Sequence, residues 1–421
     1  MAMFYQLQDL SRRALTPVAA TARVSAKLLR KAPVPGVPFV AAGWELVHRL
    51  TKGYGPPSFD IPSVSLDGEE LALREEVVVE TPFCRLVRFA RVAPSAATRE
   101  RLEAQPKVLL CAPLSGHHAT LLRDMVRSFA PEHDVYITSW IDAKEIPVAA
   151  GRFGLDEYIE HVMRFIRHLG AAELHVIAVC QPAVPALAAV SLLASAGEPT
   201  PRTLLLMGGP IDGRRSPTAV NKLATERPLS WFRDNLVHRV PLGHAGRGRR
   251  VYPGFLQLTA FVSMNPKRHF HSYRTYWLDR ISGKAESAAS HEKFYDEYNA
   301  VLDMDADYYL ETVRVVFQEH ALAKGTMSVK GQKVVPSEIR DTALMTVEGA
   351  DDDITGAGQT HVALELCRGV PASRTRKLTA EGCGHYGIFS GSKFREAVFP
   401  ELRAFIAEHH QAPNATATGV V

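Results

Sequence analysis

The sequence predicts an α/β fold, a mostly parallel sheet flanked by helices, with a large and mainly helical insertion before its last two strands. Three observations carry this. Short apolar runs of the kind that fill a strand buried on both faces recur as KVLLCAP (107–113), DVYITSW (134–140), LHVIAV (174–179), RTLLLMGG (202–209) and TALMTVEG (342–349). Helical segments joined by short connections separate the first four, a βαβ rhythm that implies parallel strands with right-handed crossovers. After Gly209 the rhythm stops for about 130 residues before TALMTVEG resumes it.

In chain order, residues 1–65 are expected to be an appendage to the catalytic domain, helical and then loop-rich, because Pro33, Pro35, Pro38, Pro56, Pro57 and Pro62 break any longer element. The β-branched stretch 75–91, interrupted by Pro82, predicts two strands joined by a turn. A helix is expected at 118–129. Another follows at 155–169, where Leu155, Tyr158, Ile159, Val162, Met163, Ile166 and Leu169 share one face at helical spacing. A small-residue helix spans about 183–196. Beyond the insertion come a helix near 358–367, a strand near 376–379 and a closing helix at 392–408. The domain reading is therefore a first core segment at 66–212, a cap or lid insertion at 213–338, a second core segment at 339–410 and a frayed tail at 411–421, too small and polar to pack. A parallel sheet so interrupted has the layout of an α/β hydrolase.

Composition narrows the function classes. The 421 residues are 46% hydrophobic and 22% charged, with a formal net charge of +4, which excludes disordered, collagenous and polytopic membrane classes and gives little support to nucleic-acid binding. Five cysteines, with no C-x-x-C spacing, fit neither a disulfide framework nor a zinc site and suit a reducing, cytoplasmic compartment. The stretch 10–44 carries Arg12, Arg13, Arg23, Lys27, Arg30 and Lys31 and no acidic residue. It has the charge of a transit peptide or of a segment that binds an anionic surface, but a solvated helix packed on the body is the favoured reading. The insertion is dense in aromatics, among them Trp231, Phe232, Tyr252, Phe255, Phe261, Tyr308 and Tyr309. Most are expected to form the core of a helical cap, and such density also suits an apolar lid over an acyl chain.

The sharpest local feature is HVIAVCQPAVPALAAV, where an apolar strand ends at Cys180 and a helix begins almost at once. This has the outline of a nucleophile elbow, usually G-x-S-x-G; here cysteine replaces serine, and Ala178 and Pro182 replace the glycines. Partners follow in the order nucleophile, acid, histidine. Asp352 lies in TVEGADDDITG, a loop at the carboxyl end of a buried strand, and His385 lies in the glycine-rich LTAEGCGHYGIFSG before the last helix. Such a histidine would take the thiol proton while the aspartate fixes its tautomer. Asp352 is ranked ahead of its neighbours Asp351 and Asp353 and of Asp212.

An oxyanion hole needs two backbone N–H groups. Gln181, after the elbow residue, would supply one, and Leu114 or Ser115 in CAPLSGHHATLL the other, since Gly116 lets the backbone turn closely. No metal site is expected, because adjacent His117 and His118, and likewise His409 and His410, diverge on a helix and no H-E-x-x-H occurs. No glycine-rich nucleotide motif is present, so no cofactor is expected.

With these residues in hand, the sequence resembles the intracellular polyhydroxybutyrate (polyhydroxyalkanoate) depolymerases over almost its whole length. The segments that carry the resemblance include APLSGHHATLLRDMV, VCQPAVP, MGGPID, VYPGFLQ, FYDEYNAVLDM, TVEGADDDI and CGHYGIFSG. It implies a cysteine, aspartate and histidine triad on Cys180, Asp352 and His385, and a cytosolic enzyme acting on the amorphous storage granule. The related polyhydroxyalkanoate synthases look like G-x-C-x-G at the elbow, and both glycines are missing here. A thiol nucleophile adds the expectation that coenzyme A could compete with water as acyl acceptor. Two other classes stay open on sequence: a polymer-building acyltransferase and a granule-coat protein with a vestigial triad.

Overall fold

The computed structural model describes residues 2–30 and 34–410. Lys31, Pro33 and the tail 411–421, named above, lie outside the described residues. Two helices open the chain, α1 (Ala2–Leu29) and α2 (Val37–Thr51), packed on each other. The second corrects the expectation of a loop. Pro38 sits in its first turn, where the missing N–H has no helical partner to lose, and Gly36 ahead of it takes a left-handed φ of 86°.

The sheet starts with an antiparallel meander, β1 (Ser63–Leu66), β2 (Glu69–Glu80) and β3 (Cys84–Arg91), with Pro82 in the turn between the last two. A short helix, α3 (Ala96–Glu103), capped by the Ser95 hydroxyl, leads to β4 (Lys107–Cys111), α4 (Arg123–Phe129) and β5 (Asp134–Trp140). Next come α5 (Leu155–Leu169), β6 (Leu174–Val179), α6 (Ala183–Ser195) and β7 (Thr203–Met207). The expected 118–129 helix is a 3-10 turn followed by α4; β2 starts at Glu69, well ahead of the expected 75, β1 and α3 were not anticipated, and the remaining elements fall within about two residues of their predicted bounds.

The insertion contains α7 (Ala219–Glu226), α8 (Leu229–Leu236), the short strands β8 (His238–Arg239) and β9 (Arg250–Tyr252), and the helices α9 (Gly254–Met264), α10 (Pro266–Ile281) and α11 (Ala285–Tyr298). Strand β10 (Met304–Asp305) pairs antiparallel with β9 and opens into α12 (Ala306–Glu311), which runs on as a π-helical segment, Thr312–Gln318. A two-stranded ribbon, β11 (Ser328–Val329) and β12 (Gln332–Lys333), closes it.

The core resumes with β13 (Ala343–Gly349), α13 (Val362–Leu366) and β14 (Thr375–Ala380), then α14 (Gly391–Lys393), a π-helical turn at Phe394–Val398 and α15 (Phe399–His410). Helix α13 is shorter than the 358–367 expected. Residues ahead of it are held as a loop instead, because buried Glu348 at the end of β13 accepts the N–H groups of Gly358, Thr360 and His361 at 2.7–2.9 Å.

The nine strands run in the order β1-β2-β3-β5-β4-β6-β7-β13-β14, parallel from β5 onward. Alternate residues feed opposite faces, as strand geometry requires. Leu109, Val176, Ala178, Leu204, Leu206 and Leu344 pack with α5 and α6, whereas Val108, Leu110, Ile177, Val179, Leu205 and Met345 pack with α4 and α15. A doubly covered, mostly parallel sheet with a helical insertion between β7 and β13 is the α/β-hydrolase fold.

The N-terminal helices dock on the insertion. Arg280 of α10 forms a two-toothed pair with Glu45 of α2 at 2.7–2.9 Å, buried Arg49 reaches Asp296 of α11 at 2.9 Å, and the Tyr5 hydroxyl of α1 donates to Asp303. Much of α1 stays in water, with Leu7, Leu10 and Leu28 exposed. Among the described residues no helix is long and apolar enough to cross a membrane.

Candidate active site

Strand β6 ends at Val179, and the chain turns so sharply that Cys180 adopts a left-handed φ of 66° before α6 begins. A side chain tolerates that region only where its surroundings hold it. Here the Cys180 N–H donates to Met207 O at 2.7 Å, and its carbonyl accepts the Ala183 N–H at 3.0 Å. Pro182 precedes the first helical residue with a φ of −57°, already helical.

The elbow has no glycine of its own, and the space a glycine would supply comes from neighbouring strands. A Cβ on Gly209, just past β7, would stand 2.1 Å from Ala183 Cβ. One on Gly208, which has a φ of 56°, would meet Ile388 at 2.7 Å and His385 Cε1 at 3.2 Å. One on Gly349, at the end of β13, would lie 2.4 Å from Cys383 O.

These close approaches bring the predicted acid and base together. His385 opens a short 3-10 turn after β14, and its Nδ1 lies 2.7 Å from Asp352 Oδ2. The other carboxylate oxygen of Asp352 accepts the N–H groups of Ile354 and Thr355 at 2.9 and 2.8 Å, which fixes its orientation. The two loops are tied by Asp351 N–H to Cys383 O at 2.9 Å, and Thr355 ties the acid loop to Gly208 O at 2.8 Å. Of the other carboxylates considered, Asp351 and Asp353 are exposed, and Asp212 is engaged by Arg214 at 2.8 Å.

Burial opposes a charge on His385. A negative sulfur at Cys180 and the Asp352 carboxylate outweigh that penalty, and its pKa is raised to about 10. Cys180 also differs from the other cysteines in exposure. All five are free thiols, and it alone is half-buried. Burial pushes Cys111 and Cys367 up to about 12, as suits inert core thiols.

The predicted oxyanion donors divide. The Leu114 N–H already donates to the Gln181 side-chain oxygen at 3.1 Å, so Gln181 staples the two loops together. The backbone N–H groups of Gln181 and Ser115 take no partner among the described residues. Gly116 turns with a φ of 100°, and a Cβ there would strike Gln257 Oε1 at 2.7 Å. The insertion holds this loop directly, through Leu302 N–H to Gly116 O at 2.8 Å and a bridge between His117 and Val301.

Cys180 and His385 open into a largely apolar cavity of about 370 Å³ beneath the insertion. Phe232, Tyr252, Phe261, Tyr308 and Tyr309 of the aromatic-rich stretch line it, with Tyr386 and Phe389 from the histidine loop. Other insertion rings pack among themselves, as Tyr273, Tyr276 and Tyr295 do around His291, or face water, as Phe270 does. Sequence reasoning did not single out Gly208, Gly209, Gly349, Gln257 or Thr312. Glycines flanking strand ends were the available signal for the first three.

Residues 208–410 match the family model described as PHB de-polymerase C-terminus. The match spans just under half of the chain and marks a PHB depolymerase C-terminal domain. That domain comprises the insertion and the second core segment, and so holds Asp352 and His385, while Cys180 precedes it. No curated protein matches the chain. Solved structures similar to it include a thioesterase domain from the curacin biosynthetic pathway (12% identity, 80% of this chain and 99% of that one, TM-score 0.43). Another is a thermophilic esterase from Thermogutta terrifontis (12%, 83% and 98%, TM-score 0.40). A third is 2-hydroxy-6-oxo-6-phenylhexa-2,4-dienoate hydrolase from Rhodococcus sp. strain RHA1 (12%, 81% and 100%, TM-score 0.43).

Proposed function

We propose that this hydrolase depolymerises amorphous polyhydroxybutyrate through a thioester on Cys180, in the cytoplasm and at the surface of storage granules. The observation that carries the reading is the half-buried thiol at a left-handed elbow, beside the His385–Asp352 pair, on the floor of an apolar cavity covered by the depolymerase domain. Free thiols throughout suit a reducing compartment.

In this mechanism His385 takes the Cys180 thiol proton, the sulfur attacks a main-chain ester carbonyl, and the carbonyl electron pair moves onto oxygen. The backbone N–H groups of Gln181 and Ser115 receive that oxyanion. Collapse breaks the carbon–oxygen bond, and the departing alkoxide takes the proton of the His385 imidazolium, leaving a shortened chain with a free hydroxyl and an acyl thioester. His385, now neutral, takes a proton from water as it attacks the thioester; Cys180 leaves as thiolate and the 3-hydroxybutyrate oligomer or monomer departs as the acid. Asp352 holds the imidazole tautomer throughout.

A thiol acceptor such as coenzyme A replaces water in the same second step and yields an acyl thioester. The decisive test is release of 3-hydroxybutyrate and its oligomers from amorphous, protein-coated granules by wild type and by Cys180→Ala. Release by the first and none by the second is the expected result; equal release by both removes Cys180 from the chemistry. Adding coenzyme A to the wild-type reaction and finding no hydroxybutyryl thioester removes the thiol-acceptor branch.

A further inference from the structure

The first two helices are amphipathic the wrong way round. A helix on a protein surface ordinarily turns its large apolar residues inward. On α1 the buried positions are small, Ala19, Ala22 and Ala26, and the Ala19 carbonyl lies 2.9 Å from Nδ1 of His48 on α2. The large apolar residues of the same helix face water: Leu7, Leu10, Val24 and Leu28 are 55–65% exposed. Helix α2 repeats the inversion, burying Ala41, Ala42 and Arg49 while Phe39, Val40, Trp44 and Leu50 are exposed. More than half of the exposed large hydrophobic side chains among the described residues fall in the first 50 positions. Single exposed apolar residues are ordinary, whereas a concentration of them marks a face that another body covers.

This face adjoins the cover of the catalytic cavity. Phe39 packs edge-on against Trp277 of α10 at 4.9 Å, and Phe270, Leu278 and Phe294 of α10 and α11 are exposed as well. At the start of the chain Phe4 and Tyr5 meet Phe255 of α9, with centroids 5.7 and 5.4 Å apart, and α9 carries Ala260 and Phe261 on the cavity wall.

Charge decides what the face suits. From Leu10 to Trp44 the chain has arginines and lysines and no carboxylate, and exposed Arg12, Arg23 and Lys27 make no ion pair among the described residues. Arg23 and Lys27 precede Val24 and Leu28, about 100° round the helix from them, so these cations run along one edge of the apolar stripe. A second copy of the chain would bring cation against cation with no carboxylate between. A polyester surface under hydrolysis supplies both complements, because it is apolar and each cleaved ester leaves a carboxylate, ionised at neutral pH. Helices with an apolar face flanked by Lys and Arg lie in the plane of such interfaces. We infer that the outer face of the α1–α2 hairpin is the surface with which the enzyme docks on the polyester of the granule. The inference rests on the depolymerase reading and names the docking face.

The test measures co-sedimentation with lipid-free amorphous polyhydroxybutyrate particles, and kcat/KM on the soluble methyl ester of a 3-hydroxybutyrate trimer, for wild type and the triple variant Leu10→Gln/Leu28→Gln/Leu50→Gln. Each of these leucines is 60–65% exposed, so no packed core is lost. Particle binding is expected to weaken at least about tenfold, with trimer kcat/KM within about twofold of wild type. Arg23→Gln/Lys27→Gln should weaken binding about threefold at low ionic strength and little at high salt. Val77→Thr, at an exposed position of β2, is the control and should bind as wild type does. Wild type that stays in the supernatant, or a triple variant that binds as tightly as wild type, overturns this inference, while release of 3-hydroxybutyrate keeps the depolymerase reading. Wild type that docks through these leucines and releases nothing overturns the depolymerase reading and leaves the docking face standing. Capture by phosphatidylglycerol vesicles and not by the particles overturns the inference, because the face then belongs to a lipid surface. So does a wild-type dimer that the triple variant turns into a monomer with particle binding unchanged, because a second copy then covers the face.

Discussion

Replacing Gly209 by alanine probes how an elbow without glycines is accommodated. The added Cβ would stand 2.1 Å from Ala183 Cβ and 2.9 Å from Cys180 O. Carbon atoms in contact sit about 3.5–4.0 Å apart, so the first turn of α6 has to retreat by roughly 1.5 Å. No side-chain rotation can relieve the clash, since one partner is an alanine Cβ and the other a backbone oxygen that already accepts the Ala183 N–H. Overpacking of this kind costs about 1–3 kcal/mol of stability. The catalytic cost should be larger in proportion, because misplacing a reacting group by about 1 Å lowers rates on the order of 100-fold. Steady-state kcat on a soluble ester, read beside the melting temperature, separates the two effects. Gly43→Ala is the control: it lies within α2 with nothing near its added Cβ, and should raise helix stability by up to about 1 kcal/mol without touching the site. A Gly209→Ala enzyme with kcat within about twofold of wild type would refute the argument that Gly209 makes room for the elbow.

Asp352→Asn should lower kcat by about 100- to 10,000-fold with little change in fold: the amide oxygen can still accept from Ile354 and Thr355, but its NH₂ then faces His385 Nδ1 and imposes the wrong tautomer. Retention of kcat would eliminate the His385–Asp352 pair as an acting unit. If, as proposed, the imidazolium donates to the leaving alkoxide, acylation in the wild type should fall as pH rises through about 10, and a rate that keeps rising there would refute that role. In Cys180→Ser the sulfur's share of the raised His385 pKa is removed, so the midpoint of the His385 titration should fall below that of the wild type; an unmoved midpoint would refute the attribution. Because its pKa is raised, His385 contributes stability that is complete below about pH 6.5 and lost as pH rises through about 10. Burial, and then Asp142, raise the Asp303 carboxyl to about 7, so its contribution is likewise present at low pH and lost as pH rises through 7. Asp303→Asn, at the Tyr5 contact of α1, should flatten the decline in Tm between pH 5 and 8, and an unchanged slope would refute this.

The strands β4 to β7 and β13 were legible because each is a short run of apolar residues whose burial on both faces needs no knowledge of its neighbours. Helix α5 was legible from one apolar stripe. Helix α2 was not, because a proline reads as a breaker unless its place in the first turn is known, and α13 was overextended because only the tertiary structure brings Glu348 to the N–H groups ahead of it.

The site divides the same way. Cys180, Asp352 and His385 could be proposed as candidates from the sequence because chain order and the ends of strands point to them. What that order cannot contain is distance across the fold: that Gly208, Gly209 and Gly349 lend the room the elbow lacks, that Leu114 is held by Gln181, and that Tyr308 and Thr312 reach the same cavity as Cys180 from well over a hundred residues away. Local patterning fixes which elements form, since helix and strand periods are properties of neighbouring residues. Which side chains share a dry chamber depends on how an insertion folds back over the sheet, and only the packed structure decides that.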